Sequence, residues 1–221
     1  MELLINNRIK KVTQLVFLFL FLPFGYGQIG VKVEILNSEV IDGDLLEIRI
    51  SNQTDQSIFL PWDVSILSYE VFTVDFERTS VFVLKIVLRN LNTEEQIPFV
   101  GEGTSMQGGN FNKFDTWKKI VANKKGEDFI LLKKGEEKEI SIPFKLLWSE
   151  DADNFYKYKV SEPVYNLSLS YQLNTEWMNK FIDKRVLKQL SKKGYVPYFE
   201  EIHSNQVLVH INEESFVCLF N

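Results

Sequence analysis

Alternation of apolar and polar residues dominates this chain and predicts β-strands along most of its length. Apolar residues occupy every second position in segments 31–35 and 46–50, and the same alternation recurs over 164–173. A period of two places successive side chains on opposite faces of a sheet, so each segment predicts a half-buried strand. Further β-rich runs cover 58–60, 81–89, 206–211 and 216–220. Together these patterns predict roughly nine strands.

Turn residues separate the predicted strands and suggest how some of them pair. The polar stretch 90–95 lies between the runs 81–89 and 96–100, and 133–136 (Lys-Lys-Gly-Glu) lies between 128–132 and 139–144. Short turns that contain glycine or asparagine are typical of hairpins, so each of these two pairs of runs is predicted to form one. Another turn is predicted at 52–56.

One late segment, 176–193, follows a helical period instead. Its apolar residues Met178, Ile182, Val186 and Leu190 lie four positions apart, which predicts one amphipathic helix of about five turns. Asn174 or Thr175 is a suitable N-cap, and Gly194 is placed to end the helix. The apolar stripe is expected to dock on the sheet; a membrane surface or a partner protein is the alternative.

Many strands without a βαβ rhythm predict an all-β protein built as a two-sheet antiparallel sandwich. The chain contains no internal repeat and no proline- or serine-rich linker. Residues 28–221 therefore read as a single β-sandwich domain with a C-terminal helix–strand elaboration. The alternative divides the chain near residues 149–153.

The first 27 residues have the form of an export signal. Arg8, Lys10 and Lys11 precede an apolar run at 12–22, and Gly25 and Gly27 place small residues at a cleavage site. The run is about 11 residues long, short of the roughly 20 needed to span a bilayer. Cleavage after Gly27 would give a soluble periplasmic or extracellular protein without stable membrane insertion. An uncleaved anchor is the alternative.

Composition narrows the possible partners. The chain carries 25 basic and 30 acidic residues; without the leader, which holds three and one, 22 and 29 remain, a net charge of −7. Such a chain has no overall attraction to nucleic acid or anionic lipid, and no nucleic-acid partner is expected. Cys218 is the only cysteine, so no internal disulfide can form. It reads as a small buried residue rather than a reactive thiol.

Sequence patterns of catalysis are missing. His203 and His210 are the only histidines, and they do not have the spacing of a zinc site. No Gly-x-Ser-x-Gly elbow occurs, and the glycines of 101–109 lack the Lys-Ser/Thr ending of a phosphate loop. We therefore predict no catalytic residue, no metal, no cofactor and no enzyme. A hydrolase built from scattered carboxylates is the alternative.

The segment 101–117 is the most suggestive candidate binding loop. Long loops without structure of their own are often functional, and aromatic rings beside asparagine suit sugars or peptides. In the favoured interpretation its three rings instead plug the open end of the sandwich. The candidate binding residues are Met106, Asn110, Phe111, Asn112, Phe114 and Trp117.

Three segments, 82–85, 96–101 and 128–136, carry a family resemblance. The second ends in an aromatic-x-Gly sequence at Phe99 to Gly101, and the third contains Leu-x-x-Gly-Glu from Leu132 to Glu136. In this order they resemble the immunoglobulin-like domain that precedes the catalytic domain of deuterolysin-type zinc endopeptidases, over about residues 31–173. The resemblance implies an immunoglobulin-like accessory sandwich. It implies no catalytic residue, because the zinc-binding His-Glu-x-x-His is missing.

The functional prediction is an exported, non-catalytic binding or accessory module of the cell envelope. Its partner would be a protein or a glycan, bound through the 101–117 loop or through an exposed strand edge. A structural subunit of an envelope assembly is a further alternative.

Overall fold

A computed structural model describes residues 30–62, 81–82, 84–103, 119, 122–151 and 154–211. The predicted leader and Cys218 lie outside these residues. Most regular elements are strands in antiparallel or mixed sheets, which confirms the predicted all-β class. The strands of the described part are β1 (Val31–Ile35), β2 (Glu39–Ile41), β3 (Leu45–Asn52), β4 (Ser57–Leu60), β5 (Lys85–Asn90), β6 (Phe99–Gly103), β7 (Ile130–Leu132), β8 (Glu137–Pro143), β9 (Leu147–Asp151), β10 (Asn154–Tyr158), β11 (Val164–Tyr171), β12 (Tyr195–Pro197), β13 (Ile202–His203) and β14 (Val207–His210).

One sheet has the strand order β1-β3-β8, with both pairs antiparallel. Val33 faces Ile50 across the first pair, and Ile50 and Ile48 of the central strand are fully buried. The opposite face is charged: Arg49 donates from Nε and Nη2 to Glu139 Oε1 at 3.0 and 2.7 Å. The predicted alternation in 31–35 and 46–50 therefore separates a core face from a solvent face.

A second sheet is organised around β11. Strand β5 pairs along one edge of β11, and β14 and then β13 pair along the other. Strand β2 extends this sheet by a parallel pairing with β14. Alternate residues of β11 are buried, as the sequence predicts, and these residues join those of the first sheet in one continuous hydrophobic cluster.

Buried aromatic residues tie this cluster together. Trp62, 1% exposed, stacks on Tyr171 with the ring centroids 6.0 Å apart. The hydroxyl of Tyr171 donates to Val81 O at 2.8 Å, and that of Tyr158 donates to Ile86 O at 3.0 Å. Burial raises the pKa of both phenols well above the usual range, so both remain neutral donors.

Two strands turn a corner together and connect the first sheet to a smaller one. β3 and β8 pair on one side of the corner, and their continuations β4 and β7 pair on the other. Asn52 occupies the corner with 1% of its surface exposed. Its backbone N–H donates to Glu136 O at 2.9 Å, and its carbonyl accepts from Gly135 N at 3.0 Å. One antiparallel ribbon therefore bends at Asn52, and β12 joins β4 in parallel beyond the bend.

This bend shows that the predicted hairpin around 133–136 is wrong. The turn itself forms: Glu136 N donates to Lys133 O at 3.0 Å, and Gly135 has φ +72°. Its flanking strands, β7 and β8, enter different sheets and pair with β4 and β3. The other predicted hairpin forms only near its turn, where Arg89 bridges Gln96. Strand β6 continues instead into a sheet of order β6-β10-β9.

The predicted single helix at 176–193 is also wrong in its continuity. Two helices, α1 (Thr175–Phe181) and α2 (Lys184–Lys192), are separated at Ile182, whose backbone is extended. Asp183 explains the break, because its carboxylate accepts from Arg185 N at 2.7 Å and caps a new helix.

The other helical expectations are confirmed. Asn174 caps α1, and Gly194 follows α2 with φ +83°. The predicted stripe docks on the core: Met178, Ile182 and Leu190 are buried in the main cluster, and Val186 packs against it. No helix in the described part of the chain has the length and apolar character needed to cross a membrane.

Candidate functional site

The loop residues singled out from the sequence, Met106, Asn110, Phe111, Asn112, Phe114 and Trp117, lie outside the described residues. Between Gly103 at the end of β6 and Ala122, the structure describes Lys119 alone. Residues 122–127 lead directly to a cleft beside α2. The candidate loop is therefore followed in the chain by one wall of that cleft.

The cleft, called here the α2 cleft, has a volume of about 500 Å³. One wall is the 3₁₀ turn η1 (Gly126–Asp128) with the residues before it, and the opposite wall is α2. Leu131 of β7 contributes to the lining between them. The full lining comprises Ala122, Asn123, Lys124, Lys125, Gly126, Glu127, Leu131, Asp183, Arg185, Val186, Gln189, Leu190 and Lys193.

Asp183 and Arg185 form the N-terminal corner of the α2 wall. Arg185 approaches the carboxylate of Asp183 with Nη2 at 2.8 Å and Nε at 3.1 Å. This side-chain contact, together with the cap bond, holds the pKa of Asp183 below its usual range. The pair places a fixed carboxylate at the cleft with its charge balanced by the guanidinium.

The η1 wall is closed by its own hydrogen bonds and packs closely against α2. Within the turn, Lys125 N donates to Asp128 Oδ2 at 2.7 Å, and Asp128 N donates back to Lys125 O at 3.1 Å. A Cβ at Gly126 would lie 3.0 Å from Leu190 Cδ2. The absence of a side chain at Gly126 therefore permits the turn to approach the helix closely.

Lysines give the cleft its positive character. Lys125 and Lys193 are exposed at the two walls, and Lys125 Nζ lies 3.6 Å from Glu127 Oε1. Lys124 is buried, with its Nζ 5.9 Å from the centre of the Phe82 ring. Burial lowers the pKa of the Lys124 ammonium, and Asp128 opposes that effect. The lining thus combines cations, carboxylates and an apolar floor, which suits a polar ligand with one apolar face.

A second cleft, called here the Tyr198 cleft, lies beside the start of β1 and has a volume of about 350 Å³. Tyr198 Oη accepts from Val31 N at 3.3 Å and donates to Glu200 Oε2 at 3.0 Å. Partial burial is the main cause that raises the pKa of this phenol. A Cβ at Gly30 would lie 2.8 Å from Tyr198 Oη. Tyr198 therefore fastens the first strand to the 198–203 segment.

The two histidines do not meet. His203 Nε2 lies 3.2 Å from Glu201 Oε1 beside the Tyr198 cleft, and His210 Nε2 lies 3.4 Å from Glu39 Oε2 on neighbouring strands. His210 occupies the predicted strand, but its Nε2 has no hydrogen-bond partner among the described residues. Within the same residues, no three histidine, cysteine, aspartate or glutamate side chains are grouped to hold a metal ion.

No protein-family model, no curated protein and no solved structure matches this chain.

Sequence reasoning missed the α2 cleft. The available signal was a local excess of lysine and arginine at 180–193 in an otherwise acidic chain. What the sequence could not supply is the approach of residues 122–127, which lie about sixty positions earlier.

Proposed function

We propose that this chain is an exported, non-catalytic binding or accessory module of the cell envelope with an immunoglobulin-like sandwich fold. Its partner is a protein or a glycan. The resemblance of segments 82–85, 96–101 and 128–136 to the accessory domain of deuterolysin-type endopeptidases agrees with this proposal and implies the fold alone.

Strand order supports the immunoglobulin-like assignment. In that fold one sheet contains strands A, B and E, and the other contains C, F and G. The order β1-β3-β8 corresponds to A-B-E, and the order β5-β11-β14 corresponds to C-F-G. The first strand region divides between the sheets, because β1 pairs with β3 and β2 pairs with β14.

Tyr165 supplies an independent argument. It is fully buried near the start of β11, the strand assigned as F. Its hydroxyl accepts from Ser161 N at 2.5 Å and from Glu162 N at 2.6 Å. A tyrosine that binds the backbone just upstream, near the start of strand F, is the tyrosine corner of immunoglobulin-like sandwiches.

The position of the α2 cleft carries the binding proposal. Both helices lie in the connection between β11 and β14, which corresponds to the F–G connection. Variable immunoglobulin domains bind through loops at one end of the sandwich, among them B–C and F–G. Strand β4, which continues β3, pairs in parallel with β12, which follows α2. The helical insertion and the end of the B region therefore lie together, as binding loops do on a rigid scaffold.

The export part of the proposal rests on the sequence: Arg8, Lys10 and Lys11 precede the apolar run at 12–22, and Gly25 and Gly27 offer a cleavage site before Gln28. N-terminal sequencing of the protein after expression with its own leader should begin at Gln28, in the soluble envelope fraction. An intact N-terminus in the membrane fraction would contradict export by cleavage.

Trp117→Ala tests whether the 101–117 loop belongs to the proposed binding surface. If Trp117 contacts the partner, the variant should melt like the wild type and capture less partner from a fractionated envelope extract. If Trp117 plugs the sandwich, its truncation should cost about 3–5 kcal/mol of unfolding free energy. A large fall in melting temperature would remove the loop from the proposed binding surface.

A further inference from the structure

The two helices form a basic surface on an acidic protein. Residues 174–194 contain two acidic side chains, Glu176 and Asp183, and six basic ones. The six are all exposed: Lys180, Lys184, Arg185, Lys188, Lys192 and Lys193. The segment therefore carries +4, whereas the chain as a whole carries −5. A local field of this sign attracts anions at short range, within about one Debye length of 8–10 Å.

The α2 cleft is the concave part of this basic surface. Lys193, the residue that follows α2, and Lys125 on the opposite wall both line it, while Lys188 and Lys192 of the helix do not. Its volume of about 500 Å³ lies within the usual range for small-ligand sites, about 300–1,000 Å³. An anionic group that enters the cleft would meet cations from two separate elements.

The remaining lining is suited to hydroxyl groups and to an apolar ring face. Asp183 and Glu127 offer carboxylate acceptors, and Gln189 offers an amide that both donates and accepts. Half-buried Leu131 and Val186 supply apolar contact. Charge, hydroxyl acceptors and an apolar floor together match an acidic sugar better than a simple inorganic anion.

We propose that the α2 cleft binds an anionic saccharide, with its carboxylate or sulfate group between Lys125 and Lys193. This inference rests on the proposed binding function and names the ligand class for its candidate site. A lipid surface fits less well, because the apolar residues Met178, Ile182 and Leu190 are buried in the core and cannot insert.

Calorimetric titration of the purified protein with trigalacturonate and with a sulfated chondroitin disaccharide tests the ligand class. Neutral galactotriose and vesicles that contain phosphatidylglycerol are the comparison probes. At least one anionic saccharide should bind with a dissociation constant on the order of 0.1–1 mM, and galactotriose at least about tenfold more weakly. Affinity should fall as salt is raised, because exposed charges are screened.

A matched pair of double variants tests the cleft. Lys125→Gln with Lys193→Gln should weaken saccharide binding at least about fivefold. Lys188→Gln with Lys192→Gln removes the same charge from the same surface and should change binding less than about twofold. Amide shifts in the unmutated protein should concentrate at residues 124–127 and 183–193 when the saccharide is added.

Four other outcomes of these experiments would each overturn the inference. Equal losses in both double variants would show general attraction by charge, and no loss in either would remove the cleft. No binding of either anionic saccharide at about 10 mM would exclude the ligand class. Vesicle binding that depends on Lys125 and Lys193, without saccharide binding, would assign the surface to lipid. None of these results bears on capture of a protein partner, which the Trp117 variant measures separately.

Discussion

Asn52 is the residue whose removal should most damage the corner between the two sheets. Its Nδ2 donates to the carbonyl oxygens of Gln56 at 2.8 Å, Leu132 at 3.2 Å and Lys133 at 2.9 Å. Its Oδ1 accepts from the backbone N–H and the hydroxyl of Thr54 at 3.0 and 2.7 Å. One side chain therefore holds both connections of the bent ribbon.

The cost of Asn52→Ala follows from the groups left without partners. The bond to Leu132 O is fully buried, and those to Lys133 O and Gln56 O are partly buried. A buried polar group that loses its partner costs about 1–3 kcal/mol. One buried and two partly solvated acceptors then give about 3 kcal/mol in unfolding free energy. For a domain of this size the melting temperature should fall by about 6–12 °C.

Urea unfolding followed by tryptophan fluorescence measures this loss. Asn92→Ala is the control, because Asn92 is exposed and its side chain makes no hydrogen bond among those described; it should change stability by less than about 0.5 kcal/mol. If Asn52→Ala also changes stability by less than that amount, the argument that Asn52 holds the corner fails.

Asn52→Asp sharpens the test, because it replaces the donating amide with an oxygen of nearly equal size. At neutral pH the introduced carboxylate would face three carbonyl oxygens, and its pKa should rise in the folded state. The penalty is therefore present at neutral pH and declines as the pH falls through the folded pKa toward the unfolded value of about 3.9. The stability gap to the wild type should narrow between about pH 7 and pH 4; a constant gap would contradict the placement of Nδ2.

Three further substitutions test other parts of the fold. Tyr165→Phe should lower the unfolding free energy by about 1–3 kcal/mol, because two backbone N–H groups lose their acceptor. The control Tyr195→Phe should change the unfolding free energy by less than about 0.5 kcal/mol. Equal effects of the two substitutions would contradict the hydrogen bonds assigned to the Tyr165 hydroxyl. Gly30→Ala should destabilise the wild type more than it destabilises a Tyr198→Phe background, since the clash is with the phenol oxygen; additive losses in thermal melts would contradict that contact. Asp183→Asn should keep the helix cap but remove the charge of the carboxylate. In the wild type that charge contributes stability that is fully present above the unfolded carboxyl pKa of about 3.9 and is lost as the pH falls through the lowered pKa of Asp183. The variant should lack this pH-dependent contribution. Melting curves between about pH 6 and pH 2.5 measure this difference, and identical profiles would contradict it.

The local features of the fold could be predicted from the sequence. Alternation in 164–173 predicted the buried face of β11, and Asn174 and Gly194 were correctly placed at helix ends. The break at Asp183 was missed because the apolar residues on both sides of it, Met178, Ile182 and Leu190, are buried in one core, so the four-residue spacing continues across it. Only the capping chemistry of aspartate marked the interruption.

Long-range pairing could not be predicted in the same way. The turn at 133–136 has the same glycine chemistry whether its flanking strands pair with each other or enter different sheets. What decides the outcome is Asn52, eighty positions away from Leu132, whose side chain binds that turn from the corner. In the sequence Asn52 predicted only a local turn. The α2 cleft depends in the same way on contact between distant segments.

Hydrogen–deuterium exchange of residues 28–221, free and bound to a purified envelope fraction, tests most directly whether the surface around α2 is the binding surface. Binding should slow exchange at residues 122–131 and 183–193, with little change along the charged face of β8. Protection confined to β8, or no protection at the α2 cleft with the partner bound, would contradict it.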